Sequence, residues 1–256
     1  MSLGRGADAV PGEIWVVLPA YNEEAGLGDL LDEIKGAMLP TGLRYHVVVV
    51  DDGSRDGTLG VARDYEQRLP LVIVQHEQNQ GLGATLRDGL VRAASLAARE
   101  DVLITMDADQ SHTPQLIPRM VQAVHEGHDV VIASRFREGS QVRGVPLLRR
   151  FLSRGGSLLL RLLFPTPEVR DFTCGYRAYR AALLQEVLRS EGTRLFEQSG
   201  FPCTLDILLQ LRRRRPIFGE VPFVLRYDLK RGPSKMNVAQ TVRGTLMLLL
   251  RRRFFG

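Results

Sequence analysis

Leu103-Ile104-Thr105-Met106-Asp107-Ala108-Asp109 is the stretch on which the reading of this chain turns. An apolar, partly branched run ends in two carboxylates one residue apart. The run has the length and composition of a buried strand. Alternate side chains of a strand share a face, so the spacing predicts that Asp107 and Asp109 point the same way at its exit. Like charges there repel unless a cation lies between them. A hard divalent ion with oxygen ligands, Mg²⁺ or Mn²⁺, suits the pair, and it keeps positions for water and for substrate phosphates. An isolated Asp-x-Asp also reads as two solvated loop aspartates, because the motif is short and common. The segments on either side decide between the two.

Those segments alternate. Short branched runs at 14–18, 45–50, 71–74, 102–106 and 130–133 are separated by amphipathic stretches at 27–38, 58–69, 82–98 and 114–125. Leu27, Leu30, Leu31 and Ile34 recur at helical spacing, as do Leu82, Leu86 and Leu90. Strands alternating with helices predict an α/β fold, a mostly parallel sheet with helices on both faces and right-handed crossovers. Ligands of such sheets sit beyond the carboxyl ends of the strands. The polar clusters fall there: Pro19-Ala20-Tyr21-Asn22-Glu23 after the first strand, Asp51-Asp52-Gly53-Ser54 after the second, Asp107-Ala108-Asp109 after the fourth and Ser134-Arg135 after the fifth. Four clusters at one edge describe a site.

After Arg135 the rhythm changes. Residues 136–146 read as a loop and 147–164 as a Leu- and Arg-rich helix. A turn and short strand follow at 171–179, then helices at 181–189 and 204–215. Residues 217–227 alternate around Pro222 and read as a strand, placed at an edge because proline cannot donate to a ladder. A basic loop at 228–236 leads to a terminal helix at 237–255. The division predicted is a flexible N-terminus (1–12), a catalytic domain (13–236) and a C-terminal amphipathic helix (237–256).

Composition limits the function classes. Hydrophobic residues make up 44% and charged residues 25% of 256, which suits a globular core rather than disorder. Cys174 and Cys203 lie in no Cys-x-x-Cys and no His cluster accompanies them, which argues against a zinc site or disulfide framework and for a reducing cytoplasm. Residues 1–12 have no apolar signal core, and no stretch reaches the length of a membrane span. The formal charge of +5 is mild. Arg212 to Arg215 complement a helix end, and no aromatic platform lies nearby, so nucleic acid is not expected as a partner.

Each cluster suggests chemistry. A carboxylate just past a strand, Asp51 or Asp52, can accept hydrogen bonds from a uracil or guanine ring or a ribose hydroxyl. Tyr21 could stack on a base and Glu23 bond a ribose, while Asp56 or Thr58 caps the next helix. Gly81-Leu82-Gly83 fits neither a phosphate loop nor a dinucleotide fingerprint and reads as close helix–sheet packing. Arg143, Arg149, Arg150 and Arg154 adjoin leucines 158–163, and residues 246–255 are basic and apolar. Both segments read as a lipid-facing surface or as core helices with solvated arginines.

These motifs, with Asn79-Gln80-Gly81-Leu82-Gly83, Asp107-Ala108-Asp109-Gln110-Ser111-His112, Ser153-Arg154-Gly155, Asp171-x-Thr173-x-Gly175-Tyr176-Arg177 and Gly232-Pro233-Ser234-Lys235-Met236, occur in the order found in family 2 glycosyltransferases. Within that family the chain resembles the dolichyl-phosphate mannose synthase group. The resemblance covers almost everything after Gly12 and implies a Rossmann-like, nucleotide-diphospho-sugar transferase (GT-A type) fold. It implies that Pro19, Tyr21, Glu23, Val50 and Asp52 surround base and ribose. Asp107 and Ala108 would contact the donor, and Asp109 would bind Mg²⁺ or Mn²⁺ with Ser111 as a further ligand. Arg135 would meet the donor diphosphate or the acceptor phosphate, and Lys235 would close over the diphosphate. Asp171 is the remaining candidate for a base or an orienting acid. The implied partners are GDP-mannose or UDP-glucose, a polyprenyl or dolichyl phosphate, and the cytoplasmic face of a membrane.

Two rival readings are a transferase with a soluble glycan acceptor and a nucleotidyltransferase. The second calls for a basic, Gly-rich loop after the first strand, where this chain has Pro19-Ala20-Tyr21-Asn22-Glu23. A non-catalytic subunit is a third, against which Asp107, Asp109, Arg135 and Lys235 all speak.

Overall fold

The five apolar runs become β1 (Ile14–Ala20), β2 (Tyr45–Asp51), β3 (Leu71–Gln75), β4 (Val102–Thr105) and β5 (Val130–Ser134). They are seen in a computed structural model that describes residues 12–196, 198, 200, 202–229 and 238–254. Consecutive residues of β1, β2, β4 and β5 are buried, which requires cover on both faces of the sheet. The cover comes from α1 (Glu24–Met38), α2 (Thr58–Tyr65), α3 (Leu82–Leu96) and α4 (Ile117–His125), which follow the strands in alternation. Leu27, Leu30, Leu31 and Ile34 of α1 are fully buried, the stripe their spacing predicts.

The seven-stranded sheet runs β3-β2-β1-β4-β7-β5-β8, with β7 at Arg177–Arg180 and β8 at Phe218–Pro222. All pairings are parallel except those of β7, which lies antiparallel between β4 and β5. Arg177 is level with Thr105 on one side and Ile132 on the other. The loop that leads into β7 therefore arrives at the edge where the parallel strands end, and carries Asp171 there.

Other differences from the sequence reading have local causes. The single strand expected at 217–227 is two: β8 lies at the sheet's edge as predicted, then the chain leaves after Pro222 and forms β9 (Val224–Arg226). β9 pairs in parallel with β6 (Gln141–Arg143), a strand inside the segment read as a loop. β4 stops at Thr105, and residues 108–110 bend, with Gln110 at φ 63°. The two-residue strand period therefore does not reach Asp109, and the orientation of the two acids is set by the bend. Beyond β5 come α5 (Leu147–Leu163), α6 (Ala181–Glu191), α7 (Pro202–Arg212) and α8 (Val238–Phe254). Leu248 and Leu249 of α8 are buried, and Arg252 forks onto the buried Asp206 of α7 at 2.8 and 3.1 Å.

Gly89 packs α3 closely on the sheet, whereas Gly81 opens on free space and Gly83 is buried. A Cβ at Gly89 would lie 2.5 Å from Val17 Cγ1 and 2.8 Å from Val50 Cγ2. Alanine in a helix interior normally adds about 1 kcal/mol over glycine, whereas overpacking a core costs about 1–3 kcal/mol. Gly89→Ala is expected to lower the urea midpoint. A midpoint equal to or above the parent's would show that the sheet yields at this point.

Candidate active site

Two loops at the carboxyl edge are laced together. Asn22, at φ 51°, donates its amide to Ser54 Oγ and accepts from the Arg55 amide through Oδ1, at 2.9 and 2.8 Å. The Glu23 amide donates to Thr58 Oγ1 at 2.8 Å, and Glu24 Oε2 accepts from the Gly57 amide at 2.9 Å. Asp56 accepts from the Thr58 amide at 3.1 Å, although the cap position of the helix itself falls to Gly57 rather than to Asp56 or Thr58 as the sequence predicts. These bonds hold the loop of Tyr21 and Glu23 against the loop that follows Asp51 and Asp52. Gly53, at φ 66°, lies so close to the Gln78 backbone that a Cβ would sit 2.5 Å from the Gln78 carbonyl carbon. That contact brings the loop after β3 into the same wall.

Asp51 and Asp52 are both buried. Asp52 accepts from the Gln80 amide through Oδ1 and from the Gly81 amide through Oδ2, each at 2.8 Å. His76, the first residue past β3, places Nδ1 2.7 Å from Asp52 Oδ1. Sequence reasoning missed His76, although its signal was the one used elsewhere: a polar residue leaving a strand at the shared edge.

The acidic bend is tied down by Ser111 and His112. Ser111 gives its amide and its hydroxyl hydrogen to Asp109 Oδ1, at 3.1 and 2.6 Å. His112 Nδ1 accepts from the Asp107 amide at 3.0 Å, so the ring's own hydrogen sits on Nε2, 3.6 Å from Asp107 Oδ2. The imidazole is buried, stacked on Tyr176 at 5.0 Å and met edge-on by Phe223 at 5.3 Å. Gly175 adjoins Asp107: a Cβ there would be 3.7 Å from Oδ1.

Opposite the bend stands Arg135. Its guanidinium forks onto Asp171, Nε to Oδ2 at 2.8 Å and Nη2 to Oδ1 at 2.7 Å, and Nη2 also reaches Thr173 Oγ1 at 2.7 Å. Asp171 is fully buried and also accepts from the amides of Arg135, Thr173 and Cys174. Burial works against charge on both partners, yet their mutual attraction and hydrogen bonds win. The Asp171 carboxyl is held below the usual carboxylate range, and the Arg135 guanidinium is held more firmly protonated than usual, with Asp107 adding to the field. The Arg135 side chain keeps one fifth of its surface exposed, at 20%.

Glu220 of β8 fixes the loop from beneath. Its side chain is fully buried, and Oε1 accepts from the amides of Arg170 and Asp171, both at 2.7 Å. Oε2 has no hydrogen-bond partner among the described residues, and Arg137 Nε is 3.9 Å away. Burial pushes the Glu220 carboxyl up more than the two amides bring it down. Burial likewise pushes the Cys174 and Cys203 thiols up to about 12, so both stay protonated, and both are free.

The structure thus brings Asp52, Asp107, Asp109, Ser111, Arg135 and Asp171 to one edge, with Pro19, Tyr21 and Glu23 alongside. The side chains of Val50 and Ala108 are both buried, that of Val50 against α3. Each can offer a ligand only its backbone. Lys235 lies outside the described residues.

Removing one member of a buried ion pair costs about 3–5 kcal/mol. Asp171→Asn is expected to lose stability of that order at neutral pH. Because the folded carboxyl titrates below its unfolded value, its contribution is complete above about pH 4 and fades as pH falls through the folded value. Melting curves of parent and variant should therefore converge toward acid. A constant gap from pH 7 to pH 2 would contradict the pairing.

The profile of Glycosyl transferase family 2 matches residues 15–188. The chain is 34% identical over 229 residues to the undecaprenyl-phosphate mannosyltransferase of Micrococcus luteus, covering 88% of this chain and 87% of that protein. It is 36% identical over 224 residues to the polyprenol monophosphomannose synthase of Mycolicibacterium smegmatis, covering 87% and 80%. Identity to the dolichol-phosphate mannosyltransferase of Pyrococcus furiosus is 32% over 225 residues, 88% of this chain but 59% of that longer protein. Among solved structures, glucosyl-3-phosphoglycerate synthase from Mycobacterium tuberculosis, in complex with Mn²⁺, UDP and phosphoglyceric acid, superposes with a TM-score of 0.70. It is 24% identical and covers 96% of this chain and 80% of its own. That likeness is one of fold, the GT-A arrangement of a mostly parallel sheet with its helices. By the profile and by these relatives, the chain belongs to glycosyltransferase family 2.

Proposed function

We propose that this protein transfers mannose from GDP-mannose to a polyprenyl phosphate, by direct displacement with inversion at the sugar carbon. The observation that carries the reading is identity above 30%, over most of both chains, to two enzymes whose names join mannose to a polyprenyl phosphate. A second reading, glucose from UDP-glucose, is favoured by the fold neighbour crystallised with UDP-glucose.

The residues at the edge suit a divalent cation. Asp107 and Asp109 are hard oxygen donors, and no three His, Cys, Asp or Glu side chains converge on one point among the described residues. A pair of carboxylates leaves positions for diphosphate oxygens and water, the habit of Mg²⁺ and Mn²⁺. The neighbour from M. tuberculosis was crystallised with each of those ions, which supports the same class here. Asp107 and Asp109 would hold the ion. Ser111, whose hydroxyl hydrogen goes to Asp109, orients that ligand. When bound, the ion supplies positive charge to a leaving diphosphate.

The chain's own groups do the rest. Tyr21, Glu23, Asp52 and the backbones of Pro19, Val50 and Ala108 bind and orient the nucleoside end. Arg135, fixed in advance by Asp171, presents its exposed face to diphosphate or acceptor phosphate and costs no reorganisation as charge develops. Of the two roles open to Asp171, orienting suits a carboxylate with both oxygens on Arg135. No strong base is required, because a phosphate monoester, with a second pKa of about 6, is already largely dianionic and nucleophilic near neutral pH. Lys235 remains the candidate for closing over the diphosphate.

The acceptor side is assigned to α5. Leu158, Leu159, Leu162 and Leu163 are exposed on it, Leu162 at 73%, beside exposed Arg154 and Arg161. Leu246 and Met247 of α8 are exposed as well. No described helix is long and apolar enough to cross a membrane. A basic, leucine-bearing face suits contact with the lipid at the membrane's cytoplasmic surface. The side chains of Arg149 and Arg150 lie outside those described.

The deciding assay offers labelled GDP-mannose or UDP-glucose, a polyprenyl phosphate and Mn²⁺, and counts label extracted into organic solvent. Label from GDP-mannose is expected; label from UDP-glucose alone would establish the second reading, and none from either would refute both. Asp109→Ala is expected to abolish transfer without altering the melting curve, and unchanged turnover would remove the metal role. Leu158→Glu with Leu162→Glu should weaken sedimentation with anionic vesicles and raise KM for the lipid about tenfold, leaving the donor KM unchanged. Undiminished vesicle binding would exclude α5 as the docking face.

A further inference from the structure

His76 is a buried imidazole between two carboxylates. Nδ1 is 2.7 Å from Asp52 Oδ1, and Nε2 is 3.0 Å from Asp88 Oδ2 on α3. Arg87 forks onto Asp88 at 2.7 and 2.9 Å. That hydrogen bonding, against the pull of burial, holds the Asp88 carboxyl below the usual range, so both of its oxygens are acceptors. Asp52 already accepts two backbone amides, from Gln80 and Gly81. Each ring nitrogen of His76 thus meets a carboxylate oxygen, and the ring is held between two acids.

We propose that His76 is a positioning residue of the donor site, fixing Asp52 so that one acceptor position on Oδ2 faces the nucleoside. The inference rests on the donor-site reading given above. A carboxylate has about four lone-pair positions. The His76 ring and the Gln80 amide occupy those of Oδ1, and the Gly81 amide occupies one on Oδ2. One remains, on the oxygen farther from the ring. The same clamp holds the approach to α3, because Gly81, at φ 85°, is tied to Asp52 as well. Without the ring, Asp52 would be a buried carboxylate next to buried Asp51, with only the two backbone amides to hold its orientation. Asp88 would lose the link that carries Arg87's charge inward. The role is indirect: the imidazole touches Asp52, and Asp52 touches the nucleoside.

The test uses the full chain with Mn²⁺, GDP and UDP in calorimetry, and the donor sugar in steady-state kinetics. His76→Ala is expected to weaken nucleotide binding and raise the donor KM about tenfold, with kcat within about threefold of the parent. Added imidazole should restore affinity to His76→Ala and leave the parent unchanged. Asp88→Asn, which keeps the ring but removes its outer charge, should raise the donor KM about threefold. It also carries the test if His76→Ala does not fold. A folded His76→Ala with parental KM would overturn the inference, as would an Asp88→Asn variant with parental KM. So would a loss confined to kcat or to the fraction of active protein. A parent chain that binds neither nucleotide would overturn the donor-site reading and this inference with it. Binding by the parent that His76→Ala leaves intact would overturn this inference alone.

Discussion

Aspartates 51, 52, 107, 109 and 171 reach one edge of one sheet, and their mutual repulsion is the constraint around which that edge is built. Two unit charges 4 Å apart near a protein surface interact by about 4 kcal/mol, a large share of a domain's net stability of about 5–15 kcal/mol. Asp51 accepts the Ser54 amide at 3.3 Å, and the other four are answered in different ways. Asp171 is fully buried and matched by the Arg135 fork. Asp52 is matched by His76 and two amides. On the outward bend, Ser111 donates to Asp109, the Asp107 amide donates to His112, and Asp107 lies in the field of Arg135. These contacts set the direction in which the bend presents its two carboxylates.

Topology decides which acids share that edge. A parallel sheet sends every strand's exit to one side, so four clusters meet there without special provision. Asp171 would lie at the far end if β7 were parallel too. Its antiparallel insertion, held by Thr105 Oγ1 on the Gly175 carbonyl at 2.7 Å and by Glu220 beneath the loop, delivers Asp171 to Arg135. The chain thus stacks its supports: Glu220 fixes backbone, that backbone places Asp171, and Asp171 aims a guanidinium. A site built on rigid elements in this way is ready before its substrate arrives.

Much of this was legible in the sequence. The strands between 14 and 134 were marked by branched runs, and the clusters after them by the carboxyl-edge rule. Where the reading fell short, the cause was non-local. The direction of β7 depends on partners more than 40 residues distant in the chain, and no short pattern encodes it. The bend after Thr105 escaped because Met106 continues the apolar run, while Gln110 in a left-handed conformation gives no sequence warning. Glu220 alternates correctly for a strand and reads as its polar face, yet it is buried because a loop lies across it. Val50 was assigned to the pocket by the resemblance alone, and its side chain lies against α3. The segment with Lys235 stays outside what the structure describes, so its part rests on the motif.

The central claim is that ligand charge completes the acidic bend opposite Arg135. Crystals grown with Mn²⁺ and GDP, measured at the manganese absorption edge, test it most directly. The account predicts an anomalous peak within coordination distance of Asp109, with the diphosphate between that peak and the Arg135 guanidinium. Diphosphate bound elsewhere, or a manganese peak remote from residues 107–109, would contradict it.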